Sequence, residues 1–235
     1  MNSEPDPKTG QPVGLPVDTA PAQRTEPVIL QGRFGRLEKL AAGHAPALWP
    51  FVEGHDDIWT YMSRYGPFST LSEFSAWMAD FCQSADPYPY AIVDAGGRTL
   101  GFLALMRIEQ AMRVIEVGHV LYSPDLQRTP LATEAQYLLA RYVFESLGYR
   151  RYEWKCHWLN EASRRAAVRF GFAFEGVHRQ LIIAKGRNRD TAWFSMLDGE
   201  WPARKANFER WLAPDNFTAD GNQKISLSAL NGNIV

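Results

Sequence analysis

Gln127, Arg128 and Thr129 stand directly before a segment, Pro130 to Leu147, whose apolar residues recur at helical spacing. Thr129 reads as the N-cap of that helix and Pro130 as its first residue, while Gly148 is placed to end it. Amides at a helix start have no intrahelical partner and point along a dipole that favours negative charge. Three amides at Gln127, Arg128 and Thr129, with the Arg128 cation beside them, therefore suit a phosphate group. The plain alternative is a capped helix with no ligand.

A second set of residues suits proton transfer. Glu116 interrupts the apolar strand "RVIEVGHVLY", and alternation turns it away from Ile115 and Val117. A carboxylate partly buried beside aromatics has a raised proton affinity and can act as a base through water; otherwise it pairs with Arg113 or Arg107. Ser163 lies three residues after Asn160, on the first turn of the helix "EASRRAAVRF" that Asn160 caps. Its hydroxyl can serve the helix end. Tyr122 and Tyr152 are alternative acids. An imidazole titrates near neutrality, but alternation places His119 opposite Glu116 unless a bulge intervenes, and a packed core histidine is expected. Cys156 falls on the apolar side of "RYEWKCHW" and reads as a small buried residue. Glu153, Lys155 and His157 form the polar side of that strand, lining a pocket or pairing with one another.

Acyl transfer to an amine needs such a set: a neutral nucleophile, donors for the developing oxyanion and a leaving thiolate. A lysine-like amine of pKa ~10.4 costs about 4.6 kcal/mol to deprotonate at pH 7, whereas an α-amine of pKa ~8 costs little more than about 1 kcal/mol. The demand on a base is therefore set by the acceptor.

Elements that could hold these residues can be placed along the chain. Met1 to about residue 27 lacks large apolar groups and reads as a flexible or surface-draped arm. "VILQGRFGRLEKL" predicts a first strand, and the stretch from Ala45 to Cys82, crowded with aromatics, predicts helices including one over Leu71–Phe81. These aromatics are core candidates first and a cation-holding surface second. "YAIVD" and "TLGFLALMRI" flank a glycine turn and predict a hairpin. Strands around 172–185 and 191–197 are joined by the basic "GRNRD", expected to be a solvated tip. A last helix runs from about Pro202 to Leu212, followed by a second tail.

The chain has 235 residues, 46% hydrophobic and 13% aromatic, enough to fill a sizeable core. A net charge of −1 gives no general footprint for nucleic acid or anionic lipid. Two cysteines are too few for a disulfide framework, and five scattered histidines show no metal-binding spacing. No signal peptide or apolar run of membrane-spanning length occurs, so a cytoplasmic protein with no membrane, nucleic-acid or metal partner is expected.

The order of strand, "QRTPLATEA" turn, helix, aromatic strand, Asn160/Ser163 and "RFGFAFEGVHR" resembles the GNAT acyltransferase superfamily, and within it the RimJ/RimL branch of ribosomal-protein N-terminal acetyltransferases. The likeness covers roughly Val28 to Pro202. It implies an α/β (α+β) fold with a mixed, largely antiparallel sheet flanked by helices, over residues 28–200, with the arm 1–27 and a C-terminal helix and tail at 201–235. It implies acetyl-CoA as cosubstrate, with the turn Gln127, Arg128, Thr129, Leu131, Ala132 and Thr133 around the diphosphate, although Pro130 stands where the family usually has glycine. Val120 to Tyr122 would bind pantetheine through backbone, Asn160 would bond the pantetheine arm, and Glu116 and Ser163 would be base and acid. The implied function is transfer of acetyl to a primary amine on a protein N-terminus, amino acid or small molecule, by a monomer or homodimer. A non-catalytic acyl-CoA sensor is the competing reading.

Overall fold

The computed structural model describes residues 3–232. In chain order it contains β1 (Ser3–Pro5), β2 (Pro12–Gly14), β3 (Leu30–Gln31), β4 (Gly35–Lys39), α1 (Ala45–Leu48), α2 (Leu71–Phe81), β5 (Tyr88–Asp94), β6 (Thr99–Glu109) and β7 (Val114–Tyr122). There follow α3 (Pro130–Arg141), β8 (Arg151–His157), α4 (Glu161–Arg169), β9 (Ala173–Ala184), β10 (Arg187–Leu197), α5 (Trp201–Leu212) and α6 (Leu227–Leu230). β1 and β2 make a small separate hairpin, and the other strands form one sheet in the order β3-β4-β5-β6-β7-β8-β10-β9. Every neighbour pair is antiparallel except β7 with β8. This is the mixed, largely antiparallel sheet expected from the sequence.

Alternation along the central strands gives the sheet two apolar faces. One face, with Leu103, Leu105, Ile115, Val117, Tyr152, Trp154 and Phe194, packs on α3 and α5. The other, with Ala91, Val93, Phe102, Ala104 and Leu121, packs on α1 and α2. Amphipathic period explains α3, whose Leu131, Ala135, Leu138 and Leu139 all enter the first core. Helix α2 starts at Thr70, whose hydroxyl accepts from the Glu73 amide, while the Glu73 carboxylate accepts from the Ser69 amide.

Three details differ from the sequence reading. The predicted first strand is broken into β3 and β4 by a turn whose Arg33 and Phe34 amides donate to the buried Glu134 carboxylate at 2.7 and 2.8 Å. Of the two readings of the N-terminal arm, the surface-draped one holds for its last part, which is more fixed than a loose arm: Ala22 is buried, its amide donates to Gln110 O, and the Gln23 amide donates to Leu147 O. The C-terminal helix is part of the core, with Trp201, Phe208 and Trp211 buried beside α3. Among the described residues no helix is long and apolar enough to cross a membrane.

Candidate active site

The ladder between β7 and β8 runs from Val114↔Arg151 to Val117↔Trp154 and stops, although both strands continue. The cause lies in β7. Its register against β6 passes from Ala104↔Gly118 to Phe102↔Leu121, so β7 spends one extra residue, and His119 takes φ 50°. A bulge of this kind bends its strand and increases the twist. Beyond Val117 β7 has no ladder to β8, and the unpaired C-terminal ends of this pair, the only parallel one among the described residues, frame the slot of the candidate site. Val120 lies on the splayed part, with its side chain packed into the α3 face.

The turn from Ser123 to Thr129 closes the top of β7. Gly101 lets it settle onto β6, since a Cβ there would stand 2.4 Å from Leu121 O and 2.9 Å from Leu126 Cδ2. The amides of Leu126 and Gln127 donate to Ser123 O, and that of Thr129 to Leu126 O. The Thr129 hydroxyl caps the helix by accepting from the Ala132 amide at 3.2 Å. Of the three amides expected to form the cradle, two are thus engaged, and only that of Arg128 is open. Arg128 is left-handed at φ 63°, and the Leu131 amide at the start of α3 is likewise without a hydrogen-bond partner among the described residues. Proline at position 130 costs the cradle its own N–H. The side chains of Leu131, Ala132 and Thr133 are buried, so any contact they make to an anion is through backbone.

At the foot of the slot the two faces carry different groups. On the α3 face, Ser163 Oγ accepts from Trp154 Nε1 at 3.0 Å, and its amide donates to Asn160 Oδ1 at 3.1 Å. Asn160 is therefore the N-cap of α4. Cys156 lies next to Ser163, and burial pushes its thiol up. On the α2 face, Glu116 is buried against Lys155 Nζ at 2.9 Å and Arg107 Nε at 3.2 Å. Burial raises its pKa and the two cations oppose that rise. The paired-glutamate alternative thus holds for Arg107, with a second, unforeseen partner in Lys155; Arg113 instead donates to Gly148 O.

The tyrosines considered as acids are placed elsewhere. The Tyr122 hydroxyl donates to Ala132 O at 3.3 Å and accepts from Gln136 Nε2 at 2.8 Å, inside the α3 face. Tyr152 is fully buried in the same core, and burial raises both phenols above their ordinary range. At His119 the exception to alternation applies. The bulge rotates it onto the Glu116 face, where its ring stacks on Tyr65 (5.5 Å between centroids) and lies 5.2 Å from Phe81. Its Nδ1 pairs with the Tyr65 hydroxyl, and burial lowers its pKa to about 4, so it is a neutral core histidine.

The basic strand connection is also not a free tip. Lys185 Nζ donates to Trp59 O at 2.9 Å, and the Arg189 guanidinium donates to the Ser63 hydroxyl. Tyr61 adds a bond from its hydroxyl to Leu159 O at 3.2 Å. The loop after α1, the β9–β10 hairpin and the start of α4 are thereby tied together over the Glu116 side of the slot. Nothing in the one-dimensional pattern distinguished Lys185 or Arg189 from solvated cations. The polar side Glu153, Lys155 and His157 was the legible signal of mutual pairing; Glu153 and Lys155 do pair, whereas His157 Nδ1 accepts from the Leu159 amide.

An open sheet whose ladder ends at the one parallel pair among the described residues, beside a helix N-terminus, is the architecture of the acetyltransferase structures that this chain resembles. The chain belongs to the GNAT acetyltransferase family: the family model described as "Acetyltransferase (GNAT) domain" matches residues 36–173. A GCN5-related N-acetyltransferase from Brucella melitensis is 47% identical, with a TM-score of 0.87 over 90% of this chain and 97% of that one. A GNAT-family structure from Chromobacterium violaceum is 42% identical, with a TM-score of 0.76 over 84% of this chain and 100% of that one. A Bacillus subtilis relative named "Putative ribosomal N-acetyltransferase YdaF" is 29% identical over 109 residues, 46% of this chain and 59% of its own length. The chain thus spans less than two thirds of that relative.

Proposed function

We propose that this protein is an acetyl-CoA-dependent N-acetyltransferase that moves the acetyl group to a primary amine by direct attack on the thioester. The observation that carries the reading is the slot between β7 and β8, with the open amides of Arg128 and Leu131 at its top and Glu116 at its foot. In this reading the diphosphate lies on the α3 N-terminus and pantetheine runs along the splayed backbone of Val120 to Tyr122, bonded by the free amide nitrogen of Asn160. The thioester then reaches the level of Ser163. The acceptor amine enters from the α2 face and gives its proton to Glu116, directly or through water. The thiolate leaves on the α3 face, where the Ser163 hydroxyl donates to it. A thiol of pKa ~8.5 needs only modest help to depart. The acceptor class is a protein N-terminus, an amino acid or a small amine, and the name of the Bacillus relative favours a ribosomal-protein amine.

Acetyl-CoA at a hundred times its Kd stabilises the fold by about 2.7 kcal/mol, read as a rise in Tm. A panel of amines followed by mass spectrometry and thiol release gives acetylated product with at least one member. No thermal shift removes the cofactor. A shift with no thiol release for any amine favours an acyl-CoA sensor.

Arg128 is exposed, so its contribution to phosphate binding is modest and sensitive to salt. Arg128→Ala weakens CoA about three- to tenfold and leaves pantetheine, which lacks the diphosphate, unchanged. Calorimetric titration of both ligands measures this, and equal losses would take Arg128 out of phosphate recognition.

A further inference from the structure

Lys155 is the one cation of the Glu116 face whose side chain is almost wholly enclosed, at 6% exposure. Its Nζ stands 2.9 Å from Glu116 Oε2, 2.6 Å from Glu153 Oε2 and 3.8 Å above the Trp193 ring. Strand register brings this about: Glu116 of β7 is level with Glu153 of β8, and Lys155 follows two residues later on the same side, opposite Trp193 of β10. Glu153 competes for this ammonium through Oε2, while its Oε1 accepts from Arg151 Nε at 2.6 Å and Trp193 Nε1 at 3.2 Å. Arg151 continues the ladder to Glu175 of β9 at 2.5 Å. Arg151 thus supplies part of the counter-charge of Glu153, and Lys155 is shared between Glu153 and Glu116.

The other cation touching Glu116 is different in kind. Arg107 is 51% exposed, so solvent screens its pull. Arg189 of β10 faces Glu116 at longer range, and His119 of β7 is neutral. A carboxylate enclosed to this degree takes up a proton unless a nearby charge opposes it, and a protonated Glu116 cannot receive a proton from an amine. We propose that Lys155 is a positioning residue, whose ammonium holds the Glu116 carboxylate ionised and fixed at the foot of the slot. This rests on the reading of Glu116 as the base, and it assigns Lys155 no contact with substrate.

The test follows Glu116 in the ligand-free full chain by carboxyl 13C NMR, its resonance identified through Glu116→Gln. In Lys155→Met the Glu116 titration midpoint moves up by about one to three pH units, the range for loss of an adjacent opposite charge. Lys155→Arg, which keeps the charge, restores most of the wild-type midpoint. The acid limb of kcat/KM moves with it, each unit costing about tenfold in rate at pH values below the limb. An unmoved midpoint in Lys155→Met overturns the proposal, whatever the change in turnover. Should that variant not fold, Glu153→Gln removes the competing carboxylate and lowers the midpoint. A midpoint that stays or rises there overturns the proposal equally. A wild-type chain that titrates as stated yet transfers no acetyl group refutes the enzyme reading and leaves the charge clamp standing. An active chain whose midpoint ignores Lys155 refutes the clamp alone.

Discussion

Glu116→Gln lowers kcat/KM for a lysine-like amine by about 10²- to 10⁴-fold, the usual contribution of a positioned general base. The substitution keeps the shape of the side chain and removes its ability to take a proton. An acceptor of pKa ~10.4 must shed about 4.6 kcal/mol worth of protonation at pH 7, whereas an α-amine of pKa ~8 is already about one-tenth neutral. The loss is therefore larger for the first than for the second. Glutamine also leaves Lys155 facing a neutral group, but Glu153 stays 2.6 Å from that ammonium, so the fold survives. Acetyl-CoA affinity is unchanged, because the cofactor contacts lie at the α3 N-terminus and on the opposite face. The part of the acid limb that belongs to Glu116, whose pKa burial raises, is lost in the variant, and the part set by deprotonation of the amine remains. Steady-state kinetics with two amines of different pKa decides the matter. Equal losses for both would make Glu116 a positioning group, and no loss would move the base elsewhere.

What the sequence revealed and what it hid both have physical reasons. Helix α2 was readable because the Gly66–Pro67 break followed by Ser72 and Glu73 supplies local start signals, although its cap is Thr70, and the Thr129 cap and Pro130 did the same for α3. The apolar and polar sides of β8 followed from period-two alternation, which depends only on neighbours along the chain. His119 defeated the same rule, because one extra residue in β7 exchanges its side of the sheet and a bulge leaves no mark in composition. Glu116 was singled out correctly as buried and acidic, but its partner on β8 depends on the register of a parallel pair separated by a whole helix. The amides of Gln127 and Thr129 were lost to the cradle for a similar reason. The turn satisfies them internally, and that hydrogen bonding is decided by backbone angles at Arg128 that residue type does not reveal. Lys185 and Arg189 look solvated until the hairpin is folded back over the loop from Trp59 to Ser63.

Trp59→Ala costs about 3 to 5 kcal/mol of stability, as for other large buried aromatics cut to alanine. Trp59 is fully buried, with Tyr65, Phe68, Phe74 and Trp77 rings between 5.2 and 6.4 Å away. These rings are aromatic on every side, and none can collapse into the space without leaving its own packing. Trp59→Phe loses much less. The indole N–H has no partner in the fold, so removing it strands no other group, and only part of the ring volume is lost. Urea unfolding of the two variants reads the difference as a fall in midpoint at constant slope. The consequence for the site is one-sided. Trp59 holds Lys185 through its carbonyl and packs on Tyr65, which holds His119, so loosening it frees the cover over the Glu116 side of the slot. The α3 core belongs to a separate apolar cluster across the sheet. In folded Trp59→Ala the KM for the amine rises while acetyl-CoA affinity stays near wild type. A loss below about 1 kcal/mol, or equal weakening of both substrates, would mean that the aromatic cluster does not hold this cover in place.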